Sequence, residues 1–324
     1  MRRPAPLPDG LIRTARRQEG LLAAQQCDAA GVGADRRASL RRAGLLLPVA
    51  WGVHDAGPSC RSAGDDGSYP GPSAHPDDHR RRRTAWHALL AAGPRAVATG
   101  PCALALLGVH GLPARIRPEV AMADGTHRTP QGVRVRCVMP RSVHRVRGAL
   151  VVDPVTALAQ AVCELDRDHA VSVLDSAVQR SLVGPDQVGE VRDLARGRRG
   201  SRRAAGWWDL VDGRAESPLE TRARLQCRDA GVAPDDLQVP VRGADGSVVA
   251  RGDLGWWLGD GRLLVAEIDG AGPHSTPQAL YRDRSRQNAV VATGALLLRF
   301  TATDIRTRRV APTVSGHLRH PPVS

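Results

Sequence analysis

The stretch VAEIDGAGPHS, residues 265–275, places Glu267 and Asp269 one residue apart in an apolar run that ends in Gly-x-Gly. A β-strand alternates its faces with period two, so both carboxylates point the same way. Charge inside an apolar segment is costly unless something neutralises it. The surrounding sequence shows what that something is expected to be.

The elements around this strand have a clear order. ESPLETRARLQCRDAG (216–231) reads as a helix, with Pro218 in its first turn and Gly231 at its end. LQVPVRGA, the turn Asp245-Gly246 and VVARGDLGWW form a hairpin. RLLVAEIDG follows as a third strand, ALYRDRSRQNAVVATG (279–294) as a helix and ALLLRFTATDI (295–305) as a strand, giving αβββαβ. A hairpin partner brings Asp253 beside the face that carries Glu267 and Asp269, and a helix packed over the sheet brings Glu220 there. Four carboxylates in one place repel one another without a cation, and oxygen-rich sets of this kind bind Mg²⁺ or Mn²⁺. Such an ion polarises a phosphodiester and generates hydroxide at neutral pH. Taken singly, each carboxylate is as well explained as an exposed strand-end residue paired with Arg251 or Arg284.

The rest of the chain fits a polyanion partner. Its 324 residues carry a net charge of +13, and every basic residue is arginine. A strong arginine, alanine and glycine bias also has a compositional explanation, so the distribution matters more than the total. Residues 216–324 carry 14 arginines against 12 carboxylates, whereas residues 1–215 carry 32 against 21. The excess therefore precedes the carboxylate segment. Six scattered cysteines show no zinc-ligand spacing and do not suggest a disulfide framework. Without an apolar leader or an 18-residue apolar run, a cytoplasmic protein with no membrane contact is expected.

At the front, residues 11–26 read as a helix, CDAAG as a second short one closing at Gly31, and ADRRASLRRAG as a third, bearing Arg36, Arg37, Arg41 and Arg42. LLLPVAWGVHD then reads as two short strands. This is the order of a winged helix-turn-helix with those four arginines on DNA; a small helical subdomain with a solvated arginine face is the alternative. Residues 57–83, rich in Gly, Pro, Ser and Asp, read as a loop or disordered insertion whose Arg80–Arg83 run is solvated. Helices are expected at 84–92, 101–107, 168–181 and 185–196, strands at 117–123 and 133–139, and an N-cap at Asp153-Pro154. His110, His144 and His169 lack ligand partners at metal spacing and read as structural or exposed. A basic linker, ARGRRGSRRA (195–204), closes the middle region.

With Glu220 on the first helix, Asp253 on the second strand and EIDG on the third, the C-terminal part resembles the PD-(D/E)XK nuclease fold. EIDG followed by His274, RDRSRQN and LLLRFTATDI is similar to the very-short-patch-repair-endonuclease-like domain over about residues 216–310. TGPCALALLGVHGLP and VVDPVTALAQAV make residues 11–200 resemble AbiEi-type antitoxins, more loosely. The resemblance implies Asp253 and Glu267 as ligands of Mg²⁺ or Mn²⁺, with Asp269 joining them and Glu220 in support. It implies His274 as an acid, base or water-positioning group, and Arg284, Arg286, Gln287 and Asn288 as facing phosphate. The signature lysine slot holds Asp269, the chain contains no lysine, and Pro273 precedes His274.

The expected architecture is an α/β multidomain chain: a winged-helix DNA-binding domain (1–56), the insertion (57–83), an α+β middle domain with its basic linker (84–204) that is a candidate seat for a protein partner, and a restriction-endonuclease-like domain (205–324). The expected function is metal-dependent hydrolysis of DNA. The alternative is a non-catalytic, antitoxin-like transcriptional regulator with a degenerate nuclease fold.

Overall fold

The computed structural model describes residues 4–62, 76–122, 130–137, 141–269 and 290–319. It is an α/β protein of two compact units, Met1–Leu165 with Asp186–Ala205, and Asp166–Pro185 with Gly206–Ser324. Residues 166–185, expected in the middle domain, thus belong to the C-terminal unit. No helix among the described residues is long and apolar enough to cross a membrane.

The first unit opens with α1 (Asp9–Arg17), β1 (Leu21–Ala23), α2 (Ala24–Ala29), α3 (Ala34–Arg42), β2 (Leu47–Ala50) and β3 (Val53–Asp55). The strands form an antiparallel sheet in the order β1-β3-β2. Leu11, Ala15, Leu22, Cys27, Val32, Leu40 and Leu46 share the core beneath it. The single helix expected over 11–26 is therefore two helices with a strand between them. Glu19 (φ 54°) and Gly20 (φ 85°) turn left-handed, and Leu21–Ala23 pair with Val53–Asp55. An apolar LLAA segment suits a helix face and a buried strand equally well, and the distant pairing decides.

Part of the expected insertion is also helical. α4 spans Gly57–Ser62 and α5 spans Pro76–Ala92. Asp77 and Asp78 occupy the first turn of α5, where acidic side chains favour the helix dipole, and pair with Arg80 and Arg81 at i,i+3. Arg82 meets Glu19, and Arg83 pairs with Asp55 at 2.9 Å. The Arg80–Arg83 run is thus largely engaged in ion pairs rather than simply solvated. Burial opposes the charge on Glu19, but hydrogen bonds from His79 and Arg82 hold its pKa below the ordinary value.

A mixed five-stranded sheet completes this unit, in the order β6 (Arg134–Arg136), β5 (Glu119–Met122), β4 (Ala96–Ala98), β8 (Ala149–Val152) and β7 (Val143–Val146). Around it lie α6 (Gly100–Leu107), α7 (Pro154–Val162) and α9 (Gln187–Ala195). Asp153 caps α7 as its sequence predicts, accepting from the Thr156 amide at 2.8 Å with Pro154 in the first turn.

The second unit begins with α8 (Arg167–Gln179) and a 3-10 turn at Trp208–Leu210, then α10 (Pro218–Asp229). β9 (Asp236–Arg242), β10 (Val248–Trp257) and β11 (Leu263–Asp269) form an antiparallel meander, and β12 (Leu296–Thr301) lies parallel to β11 at the sheet edge. α11 (Ala302–Arg306) and α12 (Val310–Arg319) close the chain. Leu254, Trp256, Leu264, Ala266 and Phe300 pack on one face against Ala223, Cys227, Ile305 and Val314 of the helices. Val239, Val241, Ala250, Leu263, Val265 and Val290 form a second cluster.

Asp175 locks α8 to α10. It is 1% exposed and accepts from Arg224 at 2.9 Å, Thr221 Oγ1 at 2.9 Å and the Asp212 amide at 2.8 Å. Losing one partner of a buried pair strands the other, so Asp175→Ala should lower stability by about 3–5 kcal/mol in denaturant unfolding. Burial, opposed by Arg224 and the hydrogen bonds, pushes the Asp175 pKa up from 3.8 to about 6. A folded-state pKa above the unfolded one gives stability that is fully present below the unfolded value and is lost as pH rises through the folded value. Wild-type stability should therefore fall between about pH 4 and 6, and Asp175→Asn should flatten that fall.

Candidate functional site

The carboxylates of the C-terminal unit fall where two ladders become irregular. β10 pairs with β11 from Trp257↔Leu263 to Leu254↔Ala266, where the ladder stops. One residue further, Asp253 accepts the Ile268 amide on its Oδ2 at 2.6 Å. On its other side β9 pairs Val239 with Gly252 and Leu237 with Leu254, so Gln238 stands across from Asp253. Gln238 is left-handed, with φ 54°. Its amide donates to Glu220 Oε2 at 2.9 Å, and the same oxygen accepts from the Glu216 amide at 2.8 Å. Glu220 sits in the first turn of α10, where Ser217 accepts its amide at 3.2 Å. Burial raises the Glu220 pKa, its hydrogen bonds work against that, and the charges of Asp253 and Glu216 raise it further. Glu220 therefore feels the charge of Asp253 while its own oxygen is held by Gln238 and the Glu216 amide.

Glu267 has a different companion. It is buried at 9% exposure and lies in parallel register with Arg299 of β12, whose Nε is 3.1 Å from its Oε2. By strand alternation Glu267 is in step with Leu263 and Val265 of the second cluster, whereas α10, which carries Glu220, packs on the face of Leu264 and Ala266. Asp269 ends β11 and is exposed. No group of three or more His, Cys, Asp or Glu side chains suited to a metal ion occurs among the described residues. His274, Arg284, Arg286, Gln287 and Asn288 lie outside the described residues.

The four arginines of α3 divide into two pairs. Arg37 is engaged inside the fold: it meets the Asp28 carboxylate and donates to Val32 O at 2.9 Å and Ala24 O at 3.4 Å. Arg36 donates to Pro6 O at 2.7 Å. Arg41 and Arg42 are exposed, and Arg42 also reaches Ser39 Oγ at 3.2 Å. Burial, reinforced by Arg37 and Arg41, depresses the His54 pKa. The sequence reading had not singled out Arg299, Gln238 or Trp51, an exposed indole at the hairpin turn. Only the parallel register of β12 could have marked Arg299.

The chain is thus an α/β multidomain protein with acidic residues gathered at the irregular ends of one mixed sheet. It is 30% identical over 202 residues to the uncharacterized proteins Rv2248 and MT2308 of Mycobacterium tuberculosis strains ATCC 25618 / H37Rv and CDC 1551 / Oshkosh, a match spanning 59% of this chain and 73% of each relative. It belongs to the family of these mycobacterial proteins. No family model matches the chain, and no solved structure does.

Three substitutions test these assignments by chemical denaturation. Arg299→Met removes the cation beside a buried carboxylate and should cost about 2 kcal/mol. Arg37→Gln should cost about 1–3 kcal/mol for the groups it leaves unpaired, while Arg41→Gln should stay within about 0.5 kcal/mol as a surface change.

Proposed function

We propose that the protein is a DNA-binding regulator of antitoxin-like type. Its front segment serves as a winged helix, and its C-terminal unit serves as a nuclease-type scaffold without hydrolytic activity. The observation that carries this reading is that the acidic residues expected to share a cation are engaged by the protein. Glu267 pairs with Arg299, Asp253 accepts the Ile268 amide, and Glu220 accepts Gln238. Arginine supplies at Glu267 the neutralisation that a divalent ion would otherwise provide. Hard carboxylate oxygens suit Mg²⁺ or Mn²⁺ in kind, but the described side chains do not form a group that would hold such an ion.

The DNA-binding part is supported by α2 and α3 joined by a turn at Gly31 and followed by a two-strand hairpin. Charge supports it as well, since residues 36–54 hold four arginines and no carboxylate. With Arg36 and Arg37 engaged in the fold, Arg41 and Arg42 are the residues left to meet phosphate.

A second reading, metal-dependent hydrolysis of DNA, is favoured by the meander with a parallel fourth strand and by the coupling of Glu220 to Asp253. In that case Glu267 would exchange Arg299 for the ion, and Asp253, Asp269 and His274 would complete the centre.

Three measurements test the proposal and separate the two readings. Full-length protein should bind duplex DNA with a steep salt dependence. It should leave single-stranded, duplex and mismatched DNA intact in Mg²⁺ or Mn²⁺, with a melting temperature unmoved by millimolar Mn²⁺. EDTA-sensitive cleavage that disappears in both Asp253→Ala and Glu267→Ala would establish the hydrolytic reading instead.

A further inference from the structure

The β2–β3 hairpin carries an aromatic residue that the folding of the first unit does not bury. Trp51 occupies the two-residue turn between Ala50 and Val53, which pair across the hairpin, and it is 86% exposed. Leu47 and Val49, on the edge strand leading to it, are exposed as well. Large exposed apolar side chains in sequence mark contact surfaces more often than accident. The turn is also held firmly. Gly52 takes the left-handed conformation (φ 74°), its carbonyl accepts the Ala24 amide at 2.8 Å, and β3 is paired on both sides. A projecting indole on a fixed hairpin loses little conformational freedom on binding.

The charge around it indicates what it meets. Arg41 and Arg42, exposed at the end of α3, precede the exposed edge strand β2 by only a few residues. Residues 36–54 contain no Asp or Glu to repel a polyanion. An apolar protein partner would gain nothing from the two exposed arginines, whereas duplex DNA offers phosphates to them and base edges in a groove to the indole.

We propose that Trp51 is a DNA-contacting residue that places its indole against the bases while Arg41 and Arg42 hold the flanking phosphates. This inference rests on the DNA-binding reading above and adds a non-ionic contact to it. Aromatic contact with bases contributes affinity without releasing counterions, whereas a phosphate contact releases about one. The two contributions therefore have different salt signatures.

The test uses the full-length protein and a short mixed-sequence duplex, titrated at several salt concentrations. Trp51→Ala should weaken binding roughly tenfold at every salt concentration, leaving the log–log salt slope and the melting temperature unchanged. Arg41→Gln should flatten that slope by about one unit. DNA should quench a component of the tryptophan emission in the wild type that is missing in Trp51→Phe. Full affinity in Trp51→Ala, or a salt slope altered by it, overturns the contact while leaving DNA binding intact. A Trp51→Ala variant that binds DNA normally but shifts from dimer to monomer on gel filtration would assign the indole to a second copy of the chain. Absence of DNA binding by the wild type at low salt would overturn the DNA-binding reading and this contact with it.

Discussion

The buried pair of Asp175 and Arg224 fixes where α10 lies in the C-terminal unit, and the environment of Glu220 depends on it. Arg224 also donates to Leu210 O at 2.7 Å, so one guanidinium ties α8, the segment before α10 and α10 itself together. With α10 held there, Ala223 and Cys227 close the apolar face of the sheet, and Glu220 in the first turn meets Gln238 and the field of Asp253. Burial works against the charge that Arg224 and the hydrogen bonds favour at Asp175. A structural contact of this kind gives specificity of packing more than raw stability.

A chain without lysine must neutralise every buried carboxylate with arginine, histidine or backbone amides. Arginine suits this because its planar fork can donate to several acceptors at once. Arg37 reaches one carboxylate and two carbonyls, Arg81 reaches Asp78 and the carbonyls of Leu112 and Pro113, and Arg136 bridges Glu119 and Glu164. Much of the basic composition is therefore spent inside the units. The net charge still supports a polyanion partner, but the residues that could meet one are fewer than the sequence suggests. Arg41 and Arg42 are among them because α3 ends at the surface.

Glu220, Asp253 and Glu267 each have a partner of their own within the C-terminal unit. The left-handed Gln238 turns its amide toward Glu220. Asp253, across from it, reaches along the sheet to the Ile268 amide. Glu267 stays on its own face and finds Arg299 one strand away. Glu220 is thus hydrogen-bonded to β9, Asp253 to β11, and Glu267 ion-paired across to β12.

Features set by neighbouring residues were legible in the sequence. Asp153-Pro154 caps a helix, Asp245-Gly246 turns a hairpin with Gly246 at φ 81°, and Glu267 and Asp269 alternate along a strand, because each depends on backbone preferences within a few residues. What tertiary structure alone decided depends on partners far along the chain. Leu21–Ala23 became a strand because Val53–Asp55 lie beside them, and residues 166–185 joined the C-terminal unit through Arg224. Arg37 turned inward to Asp28, and Arg299 met Glu267 only through the parallel register of two strands that lie about thirty residues apart in the sequence. Local pattern fixes which face a side chain takes, but its neutralising partner is set by long-range register, which the pattern does not encode.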